Sequence, residues 1–303
     1  MVELVFVIVV LGIVSSIGAS IIAKAFETYV IQKATYNASV KTELAAQEIA
    51  NRLANSVPWT FVAKIPGDHA GLIVLKESPN NITHTVLEWV GIDNDSFSAV
   101  TPPGWSGYCD INSSDPGQCR TQGSDLAFTT AVIPNLSGPT ASTASTFADS
   151  AVFFKTDYYS SALRYSPRCI GFANDGNTTC AVGVATFVAG PPPVINFDDA
   201  NPKIRAEQYA LSWSAYALVP VYVRTTPSGT RLYDLMLFYG YQPWENETYN
   251  GGGRTGSTLI NNVSAFKFTQ LGNTIRFKLC VVQQIGTGNR EQITICKEKA
   301  VVR

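Results

Sequence analysis

The chain has 303 residues, 46% of them hydrophobic and only 15% charged, and its 22 Lys and Arg against 23 Asp and Glu leave a net charge of -1. That balance excludes the basic footprint of a dedicated nucleic-acid binder, and 15 Phe, 13 Tyr and 5 Trp argue against disorder. The low charged share, with abundant Gly, Pro, Asn, Ser and Thr, points to β-rich structure with long polar loops.

From Leu4 to Ala23 the sequence reads LVFVIVVLGIVSSIGASIIA without a charge, about the twenty residues a helix needs to cross a hydrocarbon core. The run is longer than the apolar region of a secretory signal and no basic residue precedes it, so it reads as a membrane-inserted segment. Glu3 opens it, and a carboxylate at that depth asks for a cationic partner. No Gly or Pro interrupts Ala19 to Pro58, and the run is rich in helix formers, so one helix is expected from Glu3 to Ser56. Its second half is amphipathic: Ala46, Ile49, Ala50, Leu53 and Val57 share a stripe that leaves Glu43, Gln47, Asn51 and Arg52 aside.

The opening MVELVFVIVVLGIVSS followed by a long amphipathic helix resembles the N-terminus of type IV pilins and type II secretion pseudopilins. Mature chains of that family begin with Phe or Met, a short Thr-Leu-Ile step, a Glu and an apolar helix, and Glu3 maps onto the acid. The resemblance implies that Glu3 pairs with the N-terminal amine of an adjacent subunit during filament assembly. It also implies that Leu4, Phe6, Ile8, Leu11, Ile13, Ile17 and Ile21 pass from lipid into a filament core, and that a prepilin peptidase trims and methylates the precursor. Prepilins carry a basic leader ending in Gly and then four residues before the acid, whereas Met1 and Val2 alone precede Glu3 here. Without a leader the nearest cations, Lys24 and Lys33, would orient the segment backwards, so the expectation is a start codon further upstream or an engineered truncation.

From Pro58 the pattern changes to short runs of Val, Ile, Phe, Tyr and Thr punctuated by Gly, Pro and Asn, a β-rich head over 58–303. Strands are expected at Gly71–Lys76, Thr83–Val90, Leu126–Val132, Ala151–Tyr159, Ala181–Val188, Glu207–Val223, Thr230–Tyr241, Val263–Gln270, Thr274–Val282 and Gln292–Lys297. Loops are expected at Thr101–Gly123, Ser137–Thr146, Gly190–Pro193 and Asn250–Ser257. In NTIRFKLCVV, Ile275, Phe277, Leu279 and Val281 alternate with Arg276, Lys278, Cys280 and Val282, so the first set should face the core. Ile293 and Ile295 are the inward pair of the next strand, which sets Cys280 and Cys296 on the outward face of a hairpin turning at Gly286–Asn289. This ending also resembles the C-terminal β-element of minor pilins and larger pseudopilins.

Cysteines at 109 and 119, 169 and 180, and 280 and 296 suggest three local bridges, one of the fifteen connectivities open to six cysteines, because short loops cost least entropy to close. Their even number favours an oxidising compartment, and no C-x₂-C pair offers a zinc site. Asp93-Asn94-Asp95 and Asp198-Asp199 could offer oxygens to calcium, but neither has the spacing of an EF-hand, so the expectation is ordinary turn acids and no cofactor. Sequons occur at Asn37, Asn81, Asn94, Asn112, Asn135, Asn177, Asn246 and Asn262. Asn112 and Asn177, each with an Asp two residues upstream, resemble the extended acceptor pattern of bacterial N-glycosylation.

No nucleophile elbow, Walker A loop, Rossmann glycine fingerprint or H-E-x-x-H motif is present, and the two histidines, His69 and His84, read as surface residues, so an enzyme is not expected. Trp105, Tyr108, Trp244 and Tyr249 lie in Gly-rich loops, where turn packing is favoured over a recognition surface. The reading is an α+β chain, a long hydrophobic pilin-like helix packed on a disulfide-containing antiparallel head. It would serve as a minor pilin or pseudopilin whose partners are other such subunits, in the inner membrane with a periplasmic head before assembly and in a filament at the cell surface afterwards. Secretion, DNA uptake and adhesion all remain open as its output. The alternative is a membrane-anchored adhesin or glycan-binding ectodomain; a periplasmic hydrolase would require His69 or His84.

Overall fold

The computed structural model describes residues 2–77, 83–98, 101–137, 146–155, 167–200, 202, 205–285 and 291–302. The protein is an α+β chain: a 53-residue helix, α1 (Val2–Ala54), precedes a head built from antiparallel sheets. At 1.5 Å per residue α1 is about 80 Å long, and it ends one turn before Pro58, which begins a short 3-10 turn.

The head contains β1 (Val62–Ile65), β2 (Asp68–Val74), β3 (Val86–Val90), β4 (Gln118–Arg120), β5 (Ala151–Phe154), β6 (Val182–Val188), β7 (Val194–Phe197), β8 (Tyr209–Ser212), β9 (Ala215–Thr225), β10 (Arg231–Tyr241), β11 (Ser257–Leu271), β12 (Thr274–Ile285) and β13 (Glu291–Val302). Eight of them form one sheet in the order β13-β12-β11-β10-β9-β3-β1-β2, and five form a second in the order β4-β7-β6-β5-β8. Two short helices, α2 (Asn94–Ser98) and α3 (Leu126–Ser137), complete the fold.

Strand alternation sorts the eight-stranded sheet onto two cores. Leu87 and Trp89 of β3, Leu218 of β9 and Ile275, Phe277 and Leu279 of β12 join Ala45, Ala46, Ile49 and Leu53 of α1 in one buried cluster. Val86 and Val90 of β3 and Ala215, Ala217 and Val219 of β9 point the other way, into a cluster with Ala151–Phe154 and Tyr209–Leu211 of the second sheet. The eight-stranded sheet is therefore the middle layer, with α1 on one face and the smaller sheet on the other, both faces of β3 being buried.

Several expected elements are revised. Leu126–Val132 is not a strand but the start of α3: Asp125 accepts the amide of Phe128 at 3.2 Å as an N-terminal cap, and Leu126, Thr129 and Ile133 bury one helical face. The β-branched residues of LAFTTAVI suit a strand by propensity, and packing overrides it. The run Glu207–Val223 is two strands, since the chain leaves the smaller sheet after Ser212 and enters the larger at Ala215. At that corner Gln242 Nε2 donates to the Trp213 carbonyl at 2.7 Å and the Gly240 amide to Ser214 Oγ at 2.8 Å, so the buried polar groups are satisfied. β1, β4 and β7 are strands the sequence pattern did not announce, and β11 to β13 are longer than expected. Gly190–Pro193 is a loop as expected, connecting β6 to β7 within one sheet. The turn at Gly286–Asn289, the sequon Asn81, the end of the run at Tyr159 and most of the loop Ser137–Thr146 lie outside the described residues.

In the C-terminal hairpin Ile275, Phe277, Leu279 and Val281 are buried beneath α1, and Ile293 and Ile295 are half-buried. Cys280 and Cys296 are directly opposed in register. Cys280 is nevertheless buried, as is Val282, although the alternation sets both on the outward face.

Candidate functional site

Among the described residues the largest exposed apolar surface belongs to the first two-thirds of α1. A window there has mean hydropathy 2.7 with none of it buried, which makes this helix long and apolar enough to cross a membrane once. Leu4, Phe6, Ile8, Leu11, Ile13, Ile17 and Ile21 are all exposed, and so are their neighbours Val5, Val7, Val9 and Val10, so the apolar surface runs round the whole circumference. Such a helix needs surroundings that are apolar on all sides, which water cannot supply. Within the stretch Ser20 Oγ donates to the Ile17 carbonyl at 2.8 Å, which keeps the hydroxyl satisfied without water. Gly12 and Gly18 would meet nothing within 4 Å if they carried a Cβ, so each leaves a shallow notch where another backbone can approach.

Glu3 lies in the first turn of α1, exposed, where the unpaired amides of a helix start favour an anion. Lys24 marks the end of the uncharged run, and Phe26, Tyr29 and Tyr36 continue an exposed aromatic surface above it, with Lys33 Nζ 5.9 Å from the Tyr29 ring centroid.

The last turns of α1 are fixed to the head. Ala38, Thr42, Ala45, Ala46, Ile49 and Leu53 are buried, and Thr42 Oγ1 donates to the Ala38 carbonyl at 2.7 Å. Small residues let the helix lie close to β12 and β13. At the edge of this contact Glu43 receives Lys299 Nζ on one oxygen and has Lys297 Nζ 3.5 Å from the other. The hydrogen bond from Lys299, reinforced by the charges of both lysines, holds the Glu43 carboxyl below its ordinary range. On the other flank Arg52 lies 5.1 Å from the Tyr216 ring centroid and binds Glu48 at 2.6 Å.

Three disulfides join Cys109 to Cys119, Cys169 to Cys180 and Cys280 to Cys296, with Cα separations of 5.3, 5.1 and 4.0 Å. Beside the first two, Asn112 and Asn177 are exposed. Asn177 Oδ1 accepts the hydroxyl of Thr179, the last residue of its sequon, at 3.0 Å. Asp93 is not a solvated turn acid: it is buried, accepts the Ser96 amide at 3.2 Å and its hydroxyl as well, and so caps α2, while burial raises its pKa. Asp198 and Asp199 are exposed and line a cleft of about 430 Å³ with Trp244 and Glu245. Among the described residues no group of three or more ligating side chains is assembled for a metal.

The histidines are half-buried rather than fully on the surface. His69 bonds Asn250 Oδ1 at 3.0 Å and packs edge-on against Tyr249, and burial together with the Lys64 charge lowers its pKa. His84 lies between Thr83 Oγ1 at 3.1 Å and the Gly71 carbonyl at 3.0 Å. Trp105, Trp244 and Tyr249 are buried as turn packing, and Tyr108 is exposed.

One constellation escaped the sequence reading. Lys64 of β1 and Glu88 of β3 form an ion pair that is almost completely buried, with Tyr241 of β10 donating to Glu88 Oε1 at 2.8 Å. Lys64 Nζ also donates to the Phe172 carbonyl at 2.6 Å and lies 5.3 Å from that residue's ring centroid. Burial, with the Glu88 charge beside it, raises the Tyr241 phenol well above its ordinary pKa, so it stays a donor. The signal was available in FVAKI and VLEWV, where single charges of opposite sign interrupt apolar strand runs. Comparisons with protein-family models, with curated proteins and with solved structures find no match to this chain.

Proposed function

We propose that the chain is a structural subunit of a type IV filament, a minor pilin or pseudopilin, held in the inner membrane by α1 with its head in the periplasm until assembly. The observation that carries this reading is the division of one unbroken helix. Its N-terminal part presents apolar side chains on every side, and its last turns are docked across the eight-stranded sheet of a head that holds three disulfides, one of them, Cys280–Cys296, within that sheet. A helix needed only as a membrane anchor has no use for the further apolar and aromatic surface at Phe26, Tyr29, Val30 and Tyr36. Side-by-side packing of stems would cover that surface. In the filament Glu3 would register each subunit against the N-terminal amine of its neighbour, a pairing that offsets the cost of an acid in an apolar surrounding. Its presence argues against the tip position, whose family members are taken to lack the acid.

The test is Glu3→Leu in the native host, following both membrane insertion and recovery in sheared filaments. Filament incorporation should fall to background while membrane levels hold, because removing a charge does not weaken insertion. Unchanged filament recovery, or a chain that never leaves the membrane in either form, would favour the anchored ectodomain.

A further inference from the structure

We propose that Lys64 and Glu88 are joined through their side chains by an amide bond that forms without a cofactor, cross-linking β1 to β3 inside the head. Register provides the reach: Val62 opposes Glu88 and Lys64 opposes Val86, which makes Lys64 and Glu88 diagonal neighbours on one face of the sheet. Both side chains are almost wholly excluded from solvent and in ion-pair contact. A confined pair of this kind reacts with the large effective concentration of an intramolecular reaction.

The hydrogen bonds around the pair already match those of the product. Glu88 Oε1 is held by the Tyr241 hydroxyl, whereas Oε2 accepts no hydrogen bond and has the Lys64 ammonium as its charge contact. Oε2 is therefore the oxygen placed to leave. A proton passes from the Lys64 ammonium to Oε2, and the neutral Nζ adds to Glu88 Cδ. The oxyanion that forms on Oε1 is met by the Tyr241 donor. A second proton moves from Nζ to Oε2, the Cδ–Oε2 bond breaks, and one water departs. One N–H remains on Nζ and one carbonyl on Cδ, and the two opposite charges cancel. That N–H keeps the Phe172 carbonyl as its acceptor, and the carbonyl keeps the Tyr241 hydroxyl as its donor. A buried charge pair, expensive to desolvate, becomes a neutral amide with both polar groups satisfied, and the dry surroundings oppose hydrolysis.

Trypsin mapping of the full chain tests this. Protein extracted in detergent with its three disulfides formed is then denatured, reduced and digested. Acylation removes the cleavage site at Lys64, so residues 53–76 should emerge joined to residues 77–120, lighter by one water than the two peptides together. Recovery of free 53–64, 65–76 and 77–120 from such protein would overturn the proposal, as would a water loss mapped elsewhere, for instance at Asp175-Gly176. In Tyr241→Phe, which keeps the ring and removes the donor, cross-linking after refolding should slow by about a hundredfold, and an unchanged rate would overturn the role given to Tyr241.

Discussion

The docking of α1 on the sheet makes a quantitative prediction when a buried and an exposed leucine of the same helix are compared. Leu53 is fully buried in the core shared by α1 and the eight-stranded sheet, and Leu44, about two and a half turns earlier, is 65% exposed. Leu→Ala removes three carbons, worth about 2.4 kcal/mol at roughly 0.8 kcal/mol per buried methylene, and the residual cavity raises the expected cost of Leu53→Ala to about 3–4 kcal/mol. Leu44→Ala loses little burial, and alanine is at least as good a helix former, so its cost should stay below about 0.5 kcal/mol. Urea titration of the full chain in detergent, followed by tryptophan fluorescence, measures both. Trp89, in the same core as Leu53 and stacked on Tyr216 with centroids 5.8 Å apart, reports the local environment directly. Equal midpoints for the two variants would refute the docked arrangement, because a stem that merely extends from the head has no reason to distinguish these leucines.

Two further perturbations probe the head. Because lysine contacts depress the folded-state pKa of Glu43, its contribution is fully present above the unfolded carboxylate value, near 4.5, and is lost as pH falls through the lower folded value. Stability of the wild type should thus decline over that acidic window, Glu43→Gln should flatten this part of the profile, and an unflattened profile would remove the contact from the account. Gly171 has φ +98° and an added Cβ would lie 1.8 Å from the Pro243 carbonyl oxygen, whereas Gly176, at φ +78°, has open space. Gly171→Ala should cost about 2–4 kcal/mol, from conformation and overlap together, and Gly176→Ala only about 1 kcal/mol. Thermal or urea midpoints that rank the two the other way would contradict the close approach.

Sequence legibility followed the length over which a pattern persists. α1 was readable because more than fifty residues pass without a helix breaker beyond the isolated Gly12 and Gly18, and its buried residues Ala46, Ile49 and Leu53 fall on the expected stripe. β12 was readable because Ile275 to Val281 alternate cleanly. Short strands were not. β4 is three residues long and β7 four, too few for a period to emerge; β4 is fixed by pairing with β7, far away in sequence, and β7 by the hairpin it makes with β6. α3 was misread because local propensity and the Asp125 cap point to different structures, and burial of Leu126 and Ile133 decides between them. The apolar stem of the candidate site was visible from composition alone. The Lys64, Glu88 and Tyr241 cluster was not, since it takes three strands to bring positions 64, 88 and 241 together.

That cluster lies close to where the chain leaves α1. On leaving α1 the chain pairs at once with the end of β3: the Val57 amide donates to the Val90 carbonyl at 2.9 Å, the Ile92 amide to the Asn55 carbonyl at 2.8 Å, and Ser56 opposes Gly91. It then turns through Pro58–Thr60 into β1, which is hydrogen-bonded to β3 on one side and to β2, the sheet's edge, on the other. A pull along the helix is taken first by the docking of α1 on β12 and β13, and what passes along the chain beyond Ala54 reaches β1 and β3, where β1 has only four residues of ladder. Hydrogen bonds in so short a strand are each worth only about 1 kcal/mol net and fail in sequence when loaded from one end. The contacts that could keep β1 in register under such a load are the burial of Val62 and Ala63, and the Lys64–Glu88 link at its far end. Were the stem gripped by neighbouring subunits, as proposed above, while the head is pulled, the buried lysine and glutamate would stand where a covalent tie holds β1 to β3.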